Sequence, residues 1–158
     1  MVKQEGRQTP WCLLITGLPN SGKSTLAYSL VQSRVRNALI IDGDRHREMQ
    51  FLGRKLGFSK YDILENNAHV IKMARFAQDQ NMNVVIAQIA PFLDQRKQLR
   101  KSLNNYYEVY CKCHDMTRKE RPNFCNTELV YETGGYDLCI DTTKLSIEEC
   151  LDIILKKW

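Results

Sequence analysis

The stretch GLPNSGKST, residues 17–25, contains residue types that hold phosphate groups. Its spacing, Gly-x-x-x-x-Gly-Lys-Ser, is the Walker A pattern, in which the glycines let successive backbone N–H groups turn toward phosphate oxygens. The lysine of this pattern neutralises the β- and γ-phosphates, and the hydroxyl after it ligates Mg²⁺. The pattern predicts that a nucleoside triphosphate contacts Gly17, Leu18, Pro19, Asn20, Ser21, Gly22, Lys23, Ser24 and Thr25.

A pair of carboxylates, Asp42 and Asp44, follows the second apolar run of the chain, and Arg47 comes three residues later. An acceptor hydroxyl needs a carboxylate within hydrogen-bond reach, and arginine presents a planar fork to phosphate or sulfate. The alternative is an ordinary Asp-Gly turn. The sequence has no Asn-Lys-x-Asp motif for guanine, and Gln88 stands where a motor ATPase usually has an acid. The pattern therefore favours a kinase.

The six cysteines raise the question of a metal site, because Cys111, Cys113, His114 and Cys125 fall within fifteen residues. Cys-x-Cys-His lacks the usual two-residue spacer of zinc ligands. Without an export signal, disulfides are also disfavoured. We therefore predict reduced thiols rather than a zinc site or a disulfide set.

Short apolar runs alternate with longer amphipathic segments, which predicts the elements that position these residues. Strands are predicted at 11–16, 37–41, 83–90, 106–113 and 136–141, and helices from 23, after 42–44, at about 61–81, at about 94–103 and from 146. In helix 61–81 the predicted buried side chains are Ile63, Leu64, Val70, Ile71, Ala74 and Phe76. Ser146 with Glu149 matches a capping box.

This alternation predicts an α/β fold: a three-layer, P-loop NTPase-type parallel sheet of about five strands with helices on both faces. Ligands bind such sheets at the carboxyl ends of the strands. Residues 17–25, 42–44, Pro91 and 141–143 all follow predicted strands. One edge of the sheet is therefore expected to carry the function.

Length and composition set the remaining expectations. The 158 residues predict one domain over 1–158, with a flexible N-terminal segment at 1–10 and a lid at about 112–135. The net charge of +5 favours small anionic ligands and is too low and dispersed to indicate nucleic-acid binding. No apolar run reaches the ~20 residues that span a bilayer, and the first residues lack a signal peptide, so a cytoplasmic location is expected.

Seven segments resemble the adenylylsulfate (APS) kinases, a family of P-loop kinases, in order over residues 14–143: GLPNSGKST, IDGDRHR, LGFSKYD, ENN, IAPFLDQRKQLR, YYEVY and YDLCIDTT. The resemblance implies that Asp44 acts on the acceptor hydroxyl as base or orienting carboxylate. It also implies that Asp42 supports Mg²⁺ through water, together with Ser24, while Lys23 completes the catalytic set. Arg47 is then expected to pair with the anionic group of the acceptor.

The same resemblance assigns further contacts. Phe58 corresponds to the aromatic residue that stacks on the acceptor's base, and Asn66 to an asparagine that contacts the acceptor. Ile89 and Ala90 occupy the family's acceptor-binding stretch at the end of the third predicted strand. Thr142 lies where the family cradles the nucleotide base. Apart from the resemblance, Arg118, Lys119 and Arg121 form a basic cluster in the predicted lid that would supply a cation to the transferring phosphoryl group, and the alternative is a solvated basic turn. Arg96 and Arg100 share a helix face and either reach phosphate or remain solvated.

Departures from the family pattern mark a divergent member with a rewritten acceptor site and a shortened lid. Ile63 replaces an arginine that grips the phosphosulfate side, and Ala90 replaces a serine. The lid region lacks the family's Lys-Gly-Leu-Tyr segment.

The sequence thus predicts a kinase that uses ATP and Mg²⁺ to phosphorylate a small anionic, nucleotide-like acceptor. The favoured acceptor is the 3'-hydroxyl of APS, giving PAPS. Alternatives are a nucleotide-linked sugar or phosphoramidate, a hydroxymethylated base in DNA, or a nucleotide-binding module without transfer activity. No membrane partner is expected, nucleic acid is disfavoured but left open, and the dimers common among relatives make a homodimer an open expectation.

Overall fold

The computed structural model describes residues 9–49, 55–121 and 128–158. The strands are β1 (Cys12–Thr16), β2 (Ala38–Asp42), β3 (Asn83–Gln88), β4 (Tyr106–Lys112) and β5 (Leu138–Asp141). The helices are α1 (Lys23–Ser33), α2 (Gly43–Glu48), α3 (Lys60–Asp79), α4 (Leu93–Ser102), α5 (Asp115–Glu120) and α6 (Ile147–Lys157). Most of the N-terminal segment predicted to be flexible, and the middle of the predicted lid, lie outside the described residues.

The five strands form one parallel sheet in the order β2-β3-β1-β4-β5. This confirms the predicted fold class. β1 lies at the centre and all five of its residues are buried, as expected for a parallel strand covered on both faces. Thr16, the last residue of β1, lies opposite Gln88 of β3 and Tyr110 of β4. The Walker A loop therefore starts at the middle of the sheet's carboxyl edge.

Each face of the sheet has its own core. On one face, Leu13 and Ile15 pack with residues of α1 and α6, which are Leu26, Ala27, Leu30, Cys150, Leu151 and Ile154. On the other face, Cys12 and Leu14 pack with residues of α3 and α4, which are Val70, Ala74, Ala77 and Leu99. Alternate residues of β1 thus supply the two cores, and helices cover both faces as predicted. Within residues 9–49, 55–121 and 128–158, every helix is too short or too polar to span a lipid bilayer.

The buried side of α3 differs in part from the prediction. Ile63, Val70 and Ala74 are buried, but Leu64 is 37% exposed and Phe76 is 68% exposed. The helix instead buries three polar residues, Asn66, Asn67 and Gln78, together with the small residue Ala77. The apolar pattern placed Leu64 and Phe76 on the buried side because it assumed that only apolar residues are buried there.

Helix ends follow local side-chain chemistry. The predicted capping box of α6 is present, since the Ser146 side chain accepts a hydrogen bond from the Glu149 amide and the Glu149 carboxylate accepts one from the Ser146 amide. Ser59 caps α3 by accepting a hydrogen bond from the Asp62 amide at 3.1 Å. Helix α5, which the sequence reading did not predict, lies within the predicted lid.

Arg96 occupies neither of its two expected environments. Its Nε lies 2.7 Å from Glu108 Oε1, and both side chains are only 1% exposed. Its Nη1 donates to the Ala90 carbonyl at 2.8 Å, and its Nη2 donates to the carbonyls of Glu132 and Gly134 at 2.6 and 2.8 Å. Arg96 therefore joins β4 and the chain at 132–134 to the end of β3, and the expectation of a solvated or phosphate-bound arginine was wrong.

Replacing Arg96 with methionine is expected to lower the free energy of unfolding by about 3–5 kcal/mol, because it leaves the Glu108 carboxylate buried without its main cation. Burial already raises the pKa of Glu108, against the effect of its hydrogen bond from Tyr106 and of the charge of Arg96. Without Arg96 this pKa rises further above its unfolded value. The variant therefore loses the most stability at a pH above the pKa of Glu108 in its folded state. The loss becomes smaller as the pH falls through that pKa.

Urea unfolding at neutral and acidic pH measures this effect. Lys97→Met is the matched control, because Lys97 lies on the same helix with 60% of its side chain exposed. If Arg96→Met were as stable as Lys97→Met at neutral pH, the buried ion pair would not contribute in the way described.

Candidate active site

The loop between β1 and α1 has the tight backbone that its glycines allow. Gly22 has φ of +93°, a left-handed conformation that favours glycine, directly before the first residue of α1. A Cβ atom at Gly17 would lie 2.6 Å from the Cys111 carbonyl oxygen of β4. The loop therefore packs directly on the neighbouring strand, and the N-terminus of α1 opens at the carboxyl edge of the sheet, where it favours anions.

Lys23 is held inside this loop. Lys23 is only 4% exposed, and its Nζ donates a hydrogen bond to the Leu18 carbonyl at 2.8 Å. Burial lowers the pKa of Lys23, while the nearby charges of Asp44 and Asp42 raise it. A cleft of about 350 Å³ above the loop is lined by Asn20, Gly22, Lys23, Ser24, Thr25, Asp44 and Arg121. We call this the phosphate cleft.

The two predicted carboxylates differ in their surroundings. Asp42 ends β2, is 8% exposed, and accepts a hydrogen bond from the Asp44 amide at 2.9 Å, which caps α2. Asp44 lies on the first turn of α2 with 53% of its side chain exposed. A Cβ atom at Gly43 would lie 2.7 Å from Gln88 Cβ, so glycine lets α2 begin directly against the end of β3. This close approach fixes the place of both carboxylates.

A second cleft opens on the other side of Asp44. Its volume is about 510 Å³, and it is lined by Pro19, Asn20, Asp44, Arg47, Glu48, Lys55, Leu56, Gly57 and Phe58. Arg47 is 5% exposed, its Nη1 lies 2.6 Å from Asp44 Oδ1, and its guanidinium lies 4.3 Å from the centre of the Phe58 ring. We call this the acceptor cleft. Asp44 thus forms part of the wall of both clefts.

Asn66 lies behind these clefts. It is fully buried, its Oδ1 is 2.6 Å from His46 Nδ1, and its Nδ2 donates to the Gly43 carbonyl at 3.2 Å. The amide therefore joins α3 to α2 and positions the helix that carries Asp44. Its predicted contact with the acceptor remains a prediction. His46 was not predicted as a site residue, because its partner is twenty residues away in sequence.

Ile89 and Ala90 are also buried, at 1% and 0% exposure, and neither lines the two clefts beside Asp44. The Ile89 carbonyl accepts a hydrogen bond from Asn67 at 3.0 Å, and the Ala90 amide donates to Thr16 Oγ1 at 3.2 Å. Their backbone groups thus hold the chain that leaves β3. Direct acceptor binding by these two residues stays untested.

The basic residues after β4 hold the loop from its other side. Arg118 is 9% exposed, and its Nη1 donates to the Pro19 carbonyl at 3.0 Å. Arg121 donates to the carbonyls of Asn20 and Thr142 at 2.8 and 3.0 Å. Arg121 also lines the phosphate cleft, whereas Arg118 does not. The sequence pointed to this basic cluster, but it could not tell which arginine faces the cleft.

A third cleft adjoins the phosphate cleft at Gly22, Thr25 and Arg121. It measures about 230 Å³ and is lined by Gly22, Thr25, Leu26, Arg121, Thr142, Leu145, Ile147 and Cys150. Its mainly apolar wall beside the start of α1 suits the base of a bound nucleotide. Thr142 Oγ1 donates to the Ser21 carbonyl at 2.8 Å, which fixes the end of β5 against the loop.

Of the cysteines in the described ranges, Cys150 lines the third cleft, and none lines the phosphate cleft or the acceptor cleft. Among those residues, no group of three His, Cys, Asp or Glu side chains is arranged to hold a metal ion. Cys125 lies outside the described ranges. Cys111 is buried, and burial raises the pKa of its thiol to about 12.

Nucleotide binding is expected to take up protons in alkaline solution. Burial lowers the pKa of Lys23 in the free chain, and a triphosphate beside Nζ would raise it. Lys23 should therefore bind more protons in the complex than in the free protein. Calorimetric titration with ATP at about pH 9 should give an enthalpy that depends on the ionisation enthalpy of the buffer, with the sign of uptake. Lys119→Ala should behave like the wild type, and an enthalpy independent of buffer would contradict the assignment.

The parallel sheet and the Walker A loop are those of a P-loop kinase, and the loop's cleft contains a buried lysine and shares the carboxylate of Asp44 with a second cleft. A sequence model of the adenylylsulphate kinase family matches residues 9–124. The chain belongs to this family. It is a phosphotransferase that depends on ATP and Mg²⁺. The glycine-rich loop and Lys23 are suited to hold the phosphates of ATP, and Ser24 and Asp42 are suited to hold Mg²⁺.

Individual relatives carry two different activities. The chain is 29% identical to the cytidine diphosphoramidate kinase of Campylobacter jejuni, over 96% of this chain and 98% of that protein. It is 30% identical to the adenylyl-sulfate kinase of Geotalea uraniireducens, over 93% of this chain and 79% of that protein. The fold is similar to that of the Mycobacterium tuberculosis APS kinase CysC solved with AMPPNP and APS, with a TM-score of 0.79, 24% identity and coverage of 94% and 97%.

Proposed function

We propose that this chain transfers the γ-phosphoryl group of ATP to a hydroxyl group of a small anionic nucleotide. The observation that carries the proposal is the position of Asp44, whose carboxylate lies in the wall of both the phosphate cleft and the acceptor cleft. A hydroxyl bound in the acceptor cleft would then meet a carboxylate beside the transferring phosphoryl group. Such positioning accounts for much of the rate of a phosphotransferase.

The roles of the side chains follow from their surroundings. Lys23 Nζ would exchange its contact with the Leu18 carbonyl for phosphate oxygens, and bound Mg²⁺, held through Ser24 and Asp42, would neutralise further charge. Asp44 would accept a hydrogen bond from the acceptor hydroxyl and orient it. Arg47 now pairs with Asp44, and an anionic group of the acceptor would offer its guanidinium a second partner.

APS is the first candidate acceptor. Arg47 and Phe58 support it, since both line the acceptor cleft at positions that match the family. The cation–π contact between them holds a cationic and an aromatic surface side by side, as a nucleotide with an anionic 5' group requires.

Cytidine diphosphoramidate is the second candidate, and two observations favour it. The family has an arginine that binds the phosphosulfate group, and this chain has Ile63 at that position. Ile63 lies on α3 and is fully buried. The match to the C. jejuni kinase also covers nearly the full length of both chains, whereas the match to the G. uraniireducens adenylyl-sulfate kinase covers 79% of that protein. A terminal sulfate has only oxygens that accept hydrogen bonds, whereas a terminal phosphoramidate also has an NH₂ group that donates, so the loss of one cation weakens the case for APS more.

An acceptor screen tests both candidates. The purified chain is incubated with ATP, Mg²⁺ and either APS, cytidine diphosphoramidate or a nucleotide-linked sugar, and each acceptor is examined by mass spectrometry for one added phosphoryl unit. ADP release, coupled to a spectroscopic assay, should rise only with the true acceptor. Release without acceptor dependence, or none with any compound, would favour a nucleotide-binding module without transfer activity. Salt-dependent binding to DNA in a gel-shift titration would instead support a DNA acceptor.

A further inference from the structure

The Walker A loop contains a tight turn over residues 18–21. The Ser21 amide donates a hydrogen bond to the Leu18 carbonyl at 3.2 Å, which closes the turn. Its two central residues are Pro19 and Asn20, and Asn20 has φ of +59°. Proline followed by a residue with positive φ is the pattern of a type II turn. Asn20 therefore holds a backbone conformation that glycine adopts more readily than asparagine.

Side chains from outside the turn hold its carbonyl groups. The carbonyls of residues 18–21 each accept one hydrogen bond, from Lys23, Arg118, Arg121 and Thr142 in that order. Arg118 Nη1 binds the Pro19 carbonyl at 3.0 Å, and this carbonyl belongs to the central peptide group of the turn. That peptide group rotates by about 180° between a type I and a type II turn. The hydrogen bond from Arg118 therefore stabilises one of the two orientations.

The orientation of this peptide group determines where the Asn20 N–H points. The peptide bonds of the loop are trans. In a trans peptide the C=O and the following N–H point in opposite directions. Asn20 lines the phosphate cleft, whereas Arg118 lies on α5 and does not line it. With the Pro19 carbonyl turned toward Arg118, the Asn20 N–H is turned away from α5, as a donor to phosphate in the cleft must be.

The surroundings of Arg118 suit contact with the loop better than contact with a phosphate. The residue is 9% exposed, and its Nη2 lies 2.6 Å from Asp115 Oδ1. The hydrogen bond and the charge of Arg118 lower the pKa of Asp115, which keeps that carboxylate ionised. The positive charge of Arg118 is therefore already paired in the free chain.

We propose that Arg118 is a positioning residue of the phosphate cleft. Through the Pro19 carbonyl it holds the turn in the orientation that presents the Asn20 N–H to the phosphates of the nucleotide. This role replaces that of a cation for the transferring phosphoryl group, which the sequence suggested for the basic cluster. It concerns only the donor nucleotide, so it goes beyond the proposed function and holds whichever acceptor is used.

Binding of two nucleotides separates the two roles. The backbone of a Walker A loop cradles the α- and β-phosphates, which ADP and AMPPNP share, whereas a cation for the transferring group acts on the γ-phosphoryl position, which AMPPNP alone contains. Isothermal titration of Arg118→Met with each nucleotide and Mg²⁺ should show an affinity about tenfold lower for both. Arg118→Lys should recover part of this loss, because lysine keeps a donor for the Pro19 carbonyl.

Lys119→Met is the matched control. It removes one positive charge from the next residue of α5, whose side chain is exposed and lines none of the three clefts beside the loop. It should bind both nucleotides like the wild type. Because the dissociation constant from a titration refers only to folded chains, partial unfolding of Arg118→Met would lower the stoichiometry and would not imitate the loss of affinity.

Asn20→Gly tests the same role through the turn itself. Glycine after Pro19 favours the type II turn without help from Arg118. When both proteins carry Asn20→Gly, the effect of Arg118→Met on nucleotide affinity should therefore fall from about tenfold to about twofold in a double-mutant cycle. Three results would overturn the proposal: wild-type affinity of Arg118→Met for both nucleotides, weaker binding of AMPPNP alone, or an undiminished effect in the Asn20→Gly background.

Discussion

Replacing Lys23 with alanine is expected to lower the rate constant of phosphoryl transfer by at least about a thousandfold. Lys23 Nζ is the buried cation of the phosphate cleft, in a residue only 4% exposed. Without it, the charge that develops on the phosphoryl oxygens loses a preorganised partner in a site shielded from water. ATP affinity should fall as well, because the same cation contacts bound triphosphate.

Single-turnover measurements with saturating ATP and acceptor give this rate constant directly. Lys119→Ala is the control, since it removes an exposed cation from the nearby helix α5. Thermal unfolding should show that the Lys23 variant is folded, because the substitution removes one hydrogen bond to the loop and one buried charge. A folded Lys23→Ala protein within tenfold of the wild-type rate would contradict the role given to the loop.

Asp44→Asn is expected to lower the rate constant by about 10²–10⁴-fold while ATP affinity changes little. Asparagine keeps the size of the side chain and can still accept a hydrogen bond from Arg47. It cannot accept the acceptor's proton, and it orients the hydroxyl without a negative charge. The loop residues and Lys23, which are expected to hold the triphosphate, are unchanged in this variant, so ATP affinity should change little.

Glu48→Gln is the matched control for this substitution. Glu48 lies on the same helix and lines the same acceptor cleft, so it reports the effect of one lost charge there. ATP binding is followed by calorimetry and transfer by single turnover for both variants. Equal losses in the two variants, or a normal rate for Asp44→Asn, would mean that Asp44 has no special part in the reaction.

Local patterns in the sequence were sufficient to predict where the Walker A loop and the first carboxylate lie in the fold. The spacing of Gly17, Gly22, Lys23 and Ser24 places a loop between a buried strand and a helix, and the register of β1 with β3 brings Asp42 to the same edge. The alternation of strands and helices along the chain predicted the parallel sheet. These features depend on neighbours in sequence or on the rule that the carboxyl ends of parallel strands meet.

Long-range contacts account for most of what the sequence could not predict. Arg96 of α4 is buried against Glu108, which lies twelve residues later on β4, and no helical pattern reveals that partner. Asn66 is buried because His46 and Gly43 take up its amide. Phe76 is exposed because the side of α3 that faces the sheet contains Asn66 and Ala77 and does not include Phe76.

The cleft residues contributed by the segment after β4 were predicted only in part. Arg118, Lys119 and Arg121 are similar in type, and only the backbone path determines that Arg121 reaches both Asn20 and Thr142. Glu132 was not singled out at all. Its position depends on hydrogen bonds of its backbone to Pro91 and Arg96, which are more than thirty residues earlier.

The central claim, that Asp44 stands between the transferring phosphoryl group and the acceptor hydroxyl, is tested most directly by a crystal structure with AMPPNP, Mg²⁺ and the acceptor found by the screen. The claim predicts the reacting hydroxyl within hydrogen-bond distance of an Asp44 carboxylate oxygen, about 2.6–3.2 Å, on the side that faces the γ-phosphoryl group. An acceptor whose hydroxyl lies away from Asp44, or which binds outside the acceptor cleft, would contradict it.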